Sequence, residues 1–364
     1  MRPRATTKQR RLRGAVIGLG NVAVHGHLPG WQARPDSLIV AATDASPARR
    51  AECRSRLPEA RWHESVDSLL GTRDLDFVDI CTPPSSHAAL IRAALDRGLH
   101  VLCEKPLVGS LAELDELTGR ARAAGRVLHT VHNWHHAPLV GAADAVIRGG
   151  RIGAVREVLW RTLRTQPAAA ANGDGWRVDP AIGGGGVLTD HGWHVSYVIP
   201  RWTGAAPQAV SARLETRRHH RFAVEDTATV RLHFPDAVAD IVLTWAADTR
   251  ENTARVIGSA GRIEIEDETL VIVAGGREER HLFPPALSNG SQHPDWFSPV
   301  ADEFVARVRG AERGEATSPG RHPNLGEAAI CIAVECGARE SSRRGGERLA
   351  LATASRAARI GWSE

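Results

Sequence analysis

Disulfide scaffolding, membrane spans and a secretory leader have no trace in this 364-residue sequence, and tyrosine is nearly missing, with Tyr197 the only one. The five cysteines (Cys53, Cys81, Cys103, Cys331 and Cys336) are odd in number and form no C-x-x-C pair. That excludes a disulfide framework and predicts reduced thiols in a cytoplasmic protein. No run approaches the ~18 apolar residues that cross a bilayer. Met1 to Arg13 lacks the apolar core of a secretory signal. Its six basic residues (Arg2, Arg4, Lys8, Arg10, Arg11 and Arg13) predict a solvated tail rather than a nucleic-acid arm. They also account for the net charge of +4, so the rest of the chain is close to neutral and points to no nucleic-acid partner. At 42% hydrophobic and 24% charged residues, the composition is that of a globular protein long enough for two cores.

What is present begins with short apolar runs alternating with helical stretches, the pattern of a parallel sheet. The runs are Gly14–Ile17, Leu38–Ala42, Phe77–Cys81, His100–Cys103 and Val127–Val131. The first passes directly into Gly18-Leu19-Gly20-Asn21-Val22-Ala23, followed by an expected helix to about Ala33. A lone G-x-G-x-x-A is weak evidence, but this one lies between a strand and a helix. There Gly18 and Gly20 permit a tight turn and close backbone approach to a pyrophosphate. Asn21 and Val22 lead into the helix, Ala23 keeps it against the sheet, and its N-terminus favours negative charge. Asp44 stands 24 residues after Gly20, where an acid that holds the ribose hydroxyls is expected; its other reading is a helix N-cap. An aspartate there repels a 2′-phosphate and favours NAD. Arg49 and Arg50, one turn on, pull toward NADP.

Several separate segments then occur in a recognisable order: Gly18 to Ala23, Cys81-Thr82-Pro83-Pro84-Ser85-Ser86-His87, Cys103-Glu104-Lys105-Pro106-Leu107, and the run Gly183 to His194 with its Asp190-His191-Gly192-Trp193-His194. Weaker echoes are Gly175-Trp176-Arg177, Glu225-Asp226-Thr227 and Ile257 to Gly261. On these residues, from about Gly14 to about Leu351, the chain resembles the glucose–fructose oxidoreductase / inositol dehydrogenase / rhizopine-catabolism family. The resemblance implies an α/β Rossmann domain with a parallel sheet, then an α+β domain with a large, mostly antiparallel open sheet. One face of that sheet packs helices; the other usually forms a homodimer or homotetramer. The expected division is a tail over 1–13, an NAD(P)-binding domain over 14–132, a substrate and oligomerisation domain over 133–351, and a terminal segment over 352–364. The later sequence agrees by itself: Val155–Leu163, Ala209–Glu215, Ala228–Phe234, Val238–Trp245, Thr253–Ile257, Arg262–Glu266 and Leu270–Val273 read as strands. Val230 to Phe234 alternates as a sheet with unlike faces should. Helices are expected near Pro299–Arg309 and Gly326–Arg339.

Oxidising an alcohol with NAD requires a base for the hydroxyl proton while hydride leaves carbon. Lys105, Asp190 and His194 match the family's catalytic lysine, aspartate and histidine. Lys105 follows a strand at the carboxyl edge of the sheet, where open α/β folds bind ligands. Asp190 and His194, four apart, share a face if a helix starts near Thr189. The expected roles are proton transfer for His194, a hold on the substrate oxygen for Lys105, and orientation or charge tuning for Asp190. The resemblance further implies that Glu104 and Pro106 shape the loop under the nicotinamide, often through a cis bond before the proline. Thr82, Pro83 and His87 are expected along the cofactor, His87 also reading as a helix-start residue. Asn133, Trp134, Trp176, Arg177 and His191 are candidate substrate contacts. The Arg177 guanidinium can clamp a carboxylate or phosphate, or pair with Asp174 or Asp179.

Among 17 histidines, His132-x-x-x-His136 and His191-x-x-His194 invite a metal reading. No cysteine or carboxylate completes either set at ligand spacing, so no metal is expected. The reading is a dehydrogenase or ketoreductase for a sugar, sugar derivative or cyclitol. The alternatives are a glycosidase that oxidises transiently and retains its NAD, and a non-catalytic cofactor sensor. One departure from the family is the run Asn133-Trp134-His135-His136 after the fifth strand. Ten tryptophans offer faces suited to sugar rings, although most are expected in the core or an interface.

Overall fold

The structure is a computed structural model that describes residues 10–168, 175–290, 292–315 and 323–351. Most of the basic tail, Asp174 and the segment from 352 onward lie outside the described residues. The first sheet contains β1 (Leu12–Ile17), β2 (Ser37–Thr43), β3 (Arg61–Trp62), β4 (Phe77–Ile80), β5 (His100–Cys103) and β6 (Leu128–Thr130), in the order β3-β2-β1-β4-β5-β6. Every pairing in it is parallel. All four residues of β4 and of β5 are buried, which explains continuous apolar runs without alternation. Because β1 and β4 are neighbours and their connections leave in opposite directions, a crevice opens at their carboxyl ends. Ser110 caps the helix Leu111–Ala123: its hydroxyl accepts from the Glu113 amide at 3.2 Å and donates to the Glu113 carboxylate at 3.3 Å.

β1 opens at Leu12, two residues before Gly14, because the end of the basic stretch is engaged with the sheet. Arg10 pairs with Asp76 at 2.6 Å, the Arg13 amide donates to Asp76 at 2.7 Å, and Arg11 donates to the Ser37 carbonyl at 3.0 Å. Helical structure after the glycine turn runs Ala23–His27 as a wide turn and then Leu28–Gln32.

The second sheet has nine strands in the order β14-β13-β12-β11-β7-β10-β9-β8-β15. They are β7 (Val155–Leu163), β8 (Ala209–Glu215), β9 (Thr227–His233), β10 (Val238–Thr244), β11 (Glu251–Gly258), β12 (Gly261–Glu266), β13 (Thr269–Ala274), β14 (Arg277–Leu282) and β15 (Leu349–Ala350). Only β7 and β10 pair in parallel; the other pairs are antiparallel. Trp160, Val230, Ile241 and Val256 are buried on one face. The other carries the ion pairs Arg231–Asp240 and Arg255–Glu264. β3, β14 and β15 carry no sequence signal, for two reasons. Two-residue strands have no period, and β14 (Arg-Glu-Glu-Arg-His-Leu) is an edge strand exposed almost throughout, with no buried face to enforce alternation.

The two long helices at the end separate in space. The first spans Pro294–Glu312, longer than Pro299–Arg309, with Pro299 inside it; Trp296 and Phe297 in its first turns are buried and hold the extra length. This helix returns to the first sheet rather than completing the second domain. Phe304 packs edge-on against Phe77 and Trp31, centroids 5.5 and 6.4 Å away. The apolar stripe of this helix closes the core over β1 and β4. The second helix, Pro323–Arg343, lies under β8 and touches β6 through Asn324. That side chain accepts from the Thr130 amide and donates to the Thr130 carbonyl, both at 2.9 Å, finishing the sheet edge as a further strand would. No helix among the described residues is long and apolar enough to cross a membrane, and all five cysteines are free.

Phe304 is fully buried, so Phe304→Ala should cost about 3–5 kcal/mol through lost burial and a cavity. Denaturant unfolding monitored by tryptophan fluorescence checks this; a loss under 1 kcal/mol would mean the helix is not part of that core.

Candidate active site

A cavity of about 610 Å³ lies between the carboxyl edge of the first sheet and the near end of the second. The first sheet supplies the Gly18–Val22 turn after β1, Asp44 after β2, Thr82 and Pro83 after β4, Glu104 and Lys105 after β5, and Asn133 and Trp134 after β6. The second domain supplies Trp176, Arg177, Asp190, His191 and His194. Arg49 is also in the wall. Of the site residues expected from sequence, His87 alone is outside it. Its buried ring lies behind the wall, 2.8 Å from the Thr82 carbonyl and 2.8 Å from the Pro106 carbonyl. It ties two cavity loops together instead of touching a ligand.

The glycine turn fits a dinucleotide. Gly18 has φ +93°, and a Cβ there would stand 2.9 Å from the Cys81 backbone, while Gly20 faces open space that a side chain would fill. Asp44 is no helix N-cap: the next helix starts at Arg49 and is preceded by Ala48. One Asp44 oxygen accepts from the Leu19 amide at 2.6 Å and the other from the Ser46 amide at 2.7 Å, so it braces the turn and remains in the cavity wall. A carboxylate still has lone pairs for ribose hydroxyls after those two bonds.

Beneath this floor lies a buried polar cluster of which only Glu104 is expected from the sequence. His27 is placed by Nδ1 at 2.9 Å from Asp79 and by Nε2 at 3.0 Å from Glu104. Asp79, in the middle of β4, also accepts from the Trp31 indole at 2.7 Å. Two carboxylates on opposite ring nitrogens require both nitrogens to donate, which makes His27 an imidazolium. Burial, the largest single influence, opposes that charge, but Asp79 and Cys81 together outweigh it and the pKa rises well above 6.5. Burial also opposes ionisation of Glu104, whose pKa is nevertheless lowered by His27 and then Lys105. Phe297 stacks on the His27 ring at 3.9 Å. The other oxygen of Glu104 accepts from the Lys105 amide at 3.0 Å, and the peptide bond from Lys105 to Pro106 is cis.

Lys105 crosses to the second domain. Its Nζ donates to the Asp190 carbonyl at 2.8 Å and lies 3.4 Å from the Asp190 carboxylate. Asp190 and His194 do share a helical face, on a turn over Leu188–Gly192 that runs into Trp193–Thr203. The glycine run ahead of it admits close neighbours: a Cβ on Gly186 would collide with the Glu225 backbone and one on Gly185 with Arg339. Glu225 accepts from the Gly186 and Leu188 amides at 3.1 and 3.2 Å. Asp174 lies outside the described residues and Arg177 does not pair with Asp179; its Nε lies 3.4 Å from Asp190, and its guanidinium stands 4.3 Å over the Trp176 ring. Burial by itself would raise the Asp190 pKa, but Lys105, His191 and Arg177 hold it far below the ordinary carboxylate range. Burial pushes His191 down to about 3. It also drives His194 well below 6.5, assisted by the positive Lys105.

His194 Nδ1 lies 3.0 Å from the Tyr197 hydroxyl, which accepts from the Trp134 amide at 3.0 Å. The Trp134 ring is buried and stacks on His194 at 4.9 Å, so it supports the histidine as much as it lines the cavity. The carboxylate missing from the His132 spacing comes from Glu327, 2.9 Å from both His132 and His135. Trp193 donates to His132 Nε2 at 3.1 Å. This leaves Nδ1 carrying the proton toward Glu327, a donor rather than a lone pair for a metal. His136 pairs instead with Glu303 at 3.4 Å. Sequence reasoning also missed Arg164 and Arg250 in the wall, which carry no local motif among 46 basic residues.

Comparison with known proteins bears on the family and the fold. The model of an oxidoreductase family with an NAD-binding Rossmann fold matches residues 12–132, and that of the GFO/IDH/MocA C-terminal domain matches residues 140–264. The chain is 31% identical over 261 residues to the dTDP-3,4-didehydro-2,6-dideoxy-alpha-D-glucose 3-reductase of Streptomyces antibioticus, covering 70% of this chain and 76% of that one. It is 27% identical to the D-apiose dehydrogenase of Paraburkholderia graminis, covering 92% and 90%. The crystal structure of the aldose-aldose oxidoreductase from Caulobacter crescentus complexed with glycerol superimposes with a TM-score of 0.78 at 25% identity, covering 94% of this chain and 100% of that one.

Removing the buried cation should be costly. His27→Ala leaves Asp79 and Glu104 without their partner and should destabilise by about 3–5 kcal/mol. The folded imidazole has a raised pKa, so its contribution is full below pH 6.5 and is lost as pH climbs through the folded value. The stability gap between parent and variant, measured by denaturant unfolding, should therefore narrow at alkaline pH; equal stability at pH 6 would refute the cluster.

Proposed function

The chain belongs to the GFO/IDH/MocA oxidoreductase family, and from that footing we propose that it moves hydride to or from a sugar, sugar derivative or cyclitol at a site formed by Lys105, Asp190 and His194. The observation that carries this reading is the 2.8 Å contact of Lys105 with Asp190, which joins the dinucleotide side of the cavity to the substrate side. The relatives support the substrate class, one being a reductase of a dTDP-linked deoxysugar and another a dehydrogenase of D-apiose. The Gly18–Val22 turn would hold the pyrophosphate and Asp44 the ribose. Asp44 favours NAD, and Arg49 in the same wall leaves NADP acceptable. Thr82, Pro83 and Glu104 complete that side. Asn133, Trp176 and Arg177 would contact substrate. A nicotinamide, when bound, accepts or supplies the hydride.

His194 acts as the base in oxidation. In the tautomer whose Nδ1–H donates to the Tyr197 hydroxyl, Nε2 keeps its lone pair and takes the hydroxyl proton. Lys105, held as a donor by Asp190, places an N–H on the same substrate oxygen and lowers its proton affinity. In reduction the proton returns from His194 to the forming alcohol. Asp190 sets the direction of Lys105 and offsets its charge. The helix-free face of the second sheet is proposed to pair subunits into a homodimer or homotetramer.

Lys105→Met and His194→Ala should each lower kcat by 10²- to 10⁴-fold while NADH fluorescence titration shows the dinucleotide still bound; undiminished turnover in both variants would sink the assignment. Accumulation of free NADH during turnover separates this reaction from transient oxidation with a retained cofactor. The pH profile supplies another test. Because the His194 pKa is lowered, its base form persists through neutral pH, so kcat/KM for oxidation should fall only on the acid side, well below pH 6.5. An acid limb centred above pH 7 would assign the base elsewhere.

A further inference from the structure

We infer that the substrate is an anion, a sugar or polyol bearing a carboxylate or phosphate ester, held by Arg164 and Arg250 on the second domain's wall of the cavity. This rests on reading the cavity as a substrate site.

Arg164 follows β7 directly and lines the cavity, yet its side chain is only 4% exposed. Its terminal nitrogens donate to the carbonyls of Leu163 and Glu251 at 2.7 and 3.1 Å and to Asn252 Oδ1 at 3.3 Å. Its Nε is buried with no acceptor, and so is the Asn252 side-chain nitrogen. Buried polar groups are rarely left this way, and both of these groups lack an acceptor. Arg250 is exposed at the cavity mouth, where its Nε and Nη2 donate to the carbonyls of Ser288 and Gly290 at 2.6 and 2.9 Å. No carboxylate among the described residues comes within ion-pair distance of either guanidinium.

The charged groups facing Arg164 are the like-charged Arg250 and, beyond pairing distance, Asp267 and Asp190. Asp267 is occupied by the amides of Asn252 and Ser288 at 3.0 and 3.2 Å. Asp190 is shared between Lys105, Arg177 and His191. On the second domain's side the cavity therefore sets Arg164, Arg177 and Arg250 against the single carboxylate Asp190, which Lys105 also shares. Burial, with Arg250 adding to it, lowers Arg164 to about 10, in keeping with a charge short of its counter-charge. An oxyanion supplies that charge together with acceptors for a planar fork of donors, which a neutral hydroxyl cannot do. The phosphates of the dinucleotide have their own turn in the other domain at Gly18–Val22, whereas Arg164 acts electrostatically on Asp190 and His191.

The test is calorimetric titration of the full chain saturated with NADH, which blocks the dinucleotide's own phosphate site. The probes are D-glucuronate, D-gluconate, glucose 1-phosphate and UDP-glucose, with glucose and sorbitol as neutral partners. At least one anion should bind ten-fold or more tightly than its neutral partner, and its identity separates carboxylate from phosphate. Arg164→Gln should remove that preference ten-fold or more. Arg250→Gln, at an exposed position that tolerates change, should weaken it in the same direction. NADH affinity should be unchanged in both. The proposal falls if no anion outbinds its neutral partner, if both variants keep the discrimination, or if NADH affinity drops as much as anion affinity. Binding requires no turnover, so a chain that binds anions but transfers no hydride counts against the oxidoreductase reading alone. Efficient oxidation of neutral sugars without anion preference counts against this inference alone.

Discussion

The imidazolium of His27, enclosed between the carboxylates of Asp79 and Glu104, fixes three separately arriving segments in one place. His27 comes from the helical turn after the glycine loop, Asp79 from the centre of β4, and Glu104 from the end of β5. None of these charges is stable in that core alone, because an isolated buried ion costs several kcal/mol. Together they form a network in which Trp31 adds a donor to Asp79 and Phe297 covers the ring. Its reach extends to the site, since the second oxygen of Glu104 holds the Lys105 amide. The direction in which Lys105 leaves the first sheet depends on a charge cluster beneath the cofactor floor.

A different electrostatic arrangement governs the opposite wall. Asp190 stays ionised in a buried setting because Lys105, His191 and Arg177 surround it. Burial, with Lys105 adding to it, keeps His191 and His194 neutral. This divides the labour at neutral pH into a cationic donor, Lys105, and an uncharged histidine that can accept a proton. The excess of guanidinium over carboxylate beyond Asp190 is a property of the wall as a whole, and it bears on which substrates can be held there rather than on the hydride step.

Much of this was legible in the chain, in proportion to how local each signal is. The parallel sheet, the glycine turn and the carboxyl-edge positions of Thr82, Lys105 and Asn133 follow from apolar runs and the residues directly after them. Lys105, Asp190 and His194 were recognisable as a set from ordered segments. His87 opens the helix His87–Asp96, as its helix-start reading expects, but its motif position does not say that its ring bridges Thr82 to Pro106. Asp79 passed unnoticed inside an apolar run, because its partners His27 and Trp31 lie 52 and 48 residues away. Arg164 and Arg250 gave no signal at all, since only the number of carboxylates around an arginine distinguishes a ligand-binding one from a surface one.

The sequence alone determined the architecture and the reaction class, because strand periodicity, turn glycines and catalytic side chains are encoded over short stretches where backbone sterics and burial leave few choices. Tertiary structure decided what depends on long-range charge and packing. It sent the helix Pro294–Glu312 back onto the first sheet, made His27 a cation, kept His194 neutral, and left the Nε of Arg164 without an acceptor. Those outcomes follow from desolvation and Coulomb interaction among residues brought together by folding, and neither has a period or spacing along the chain.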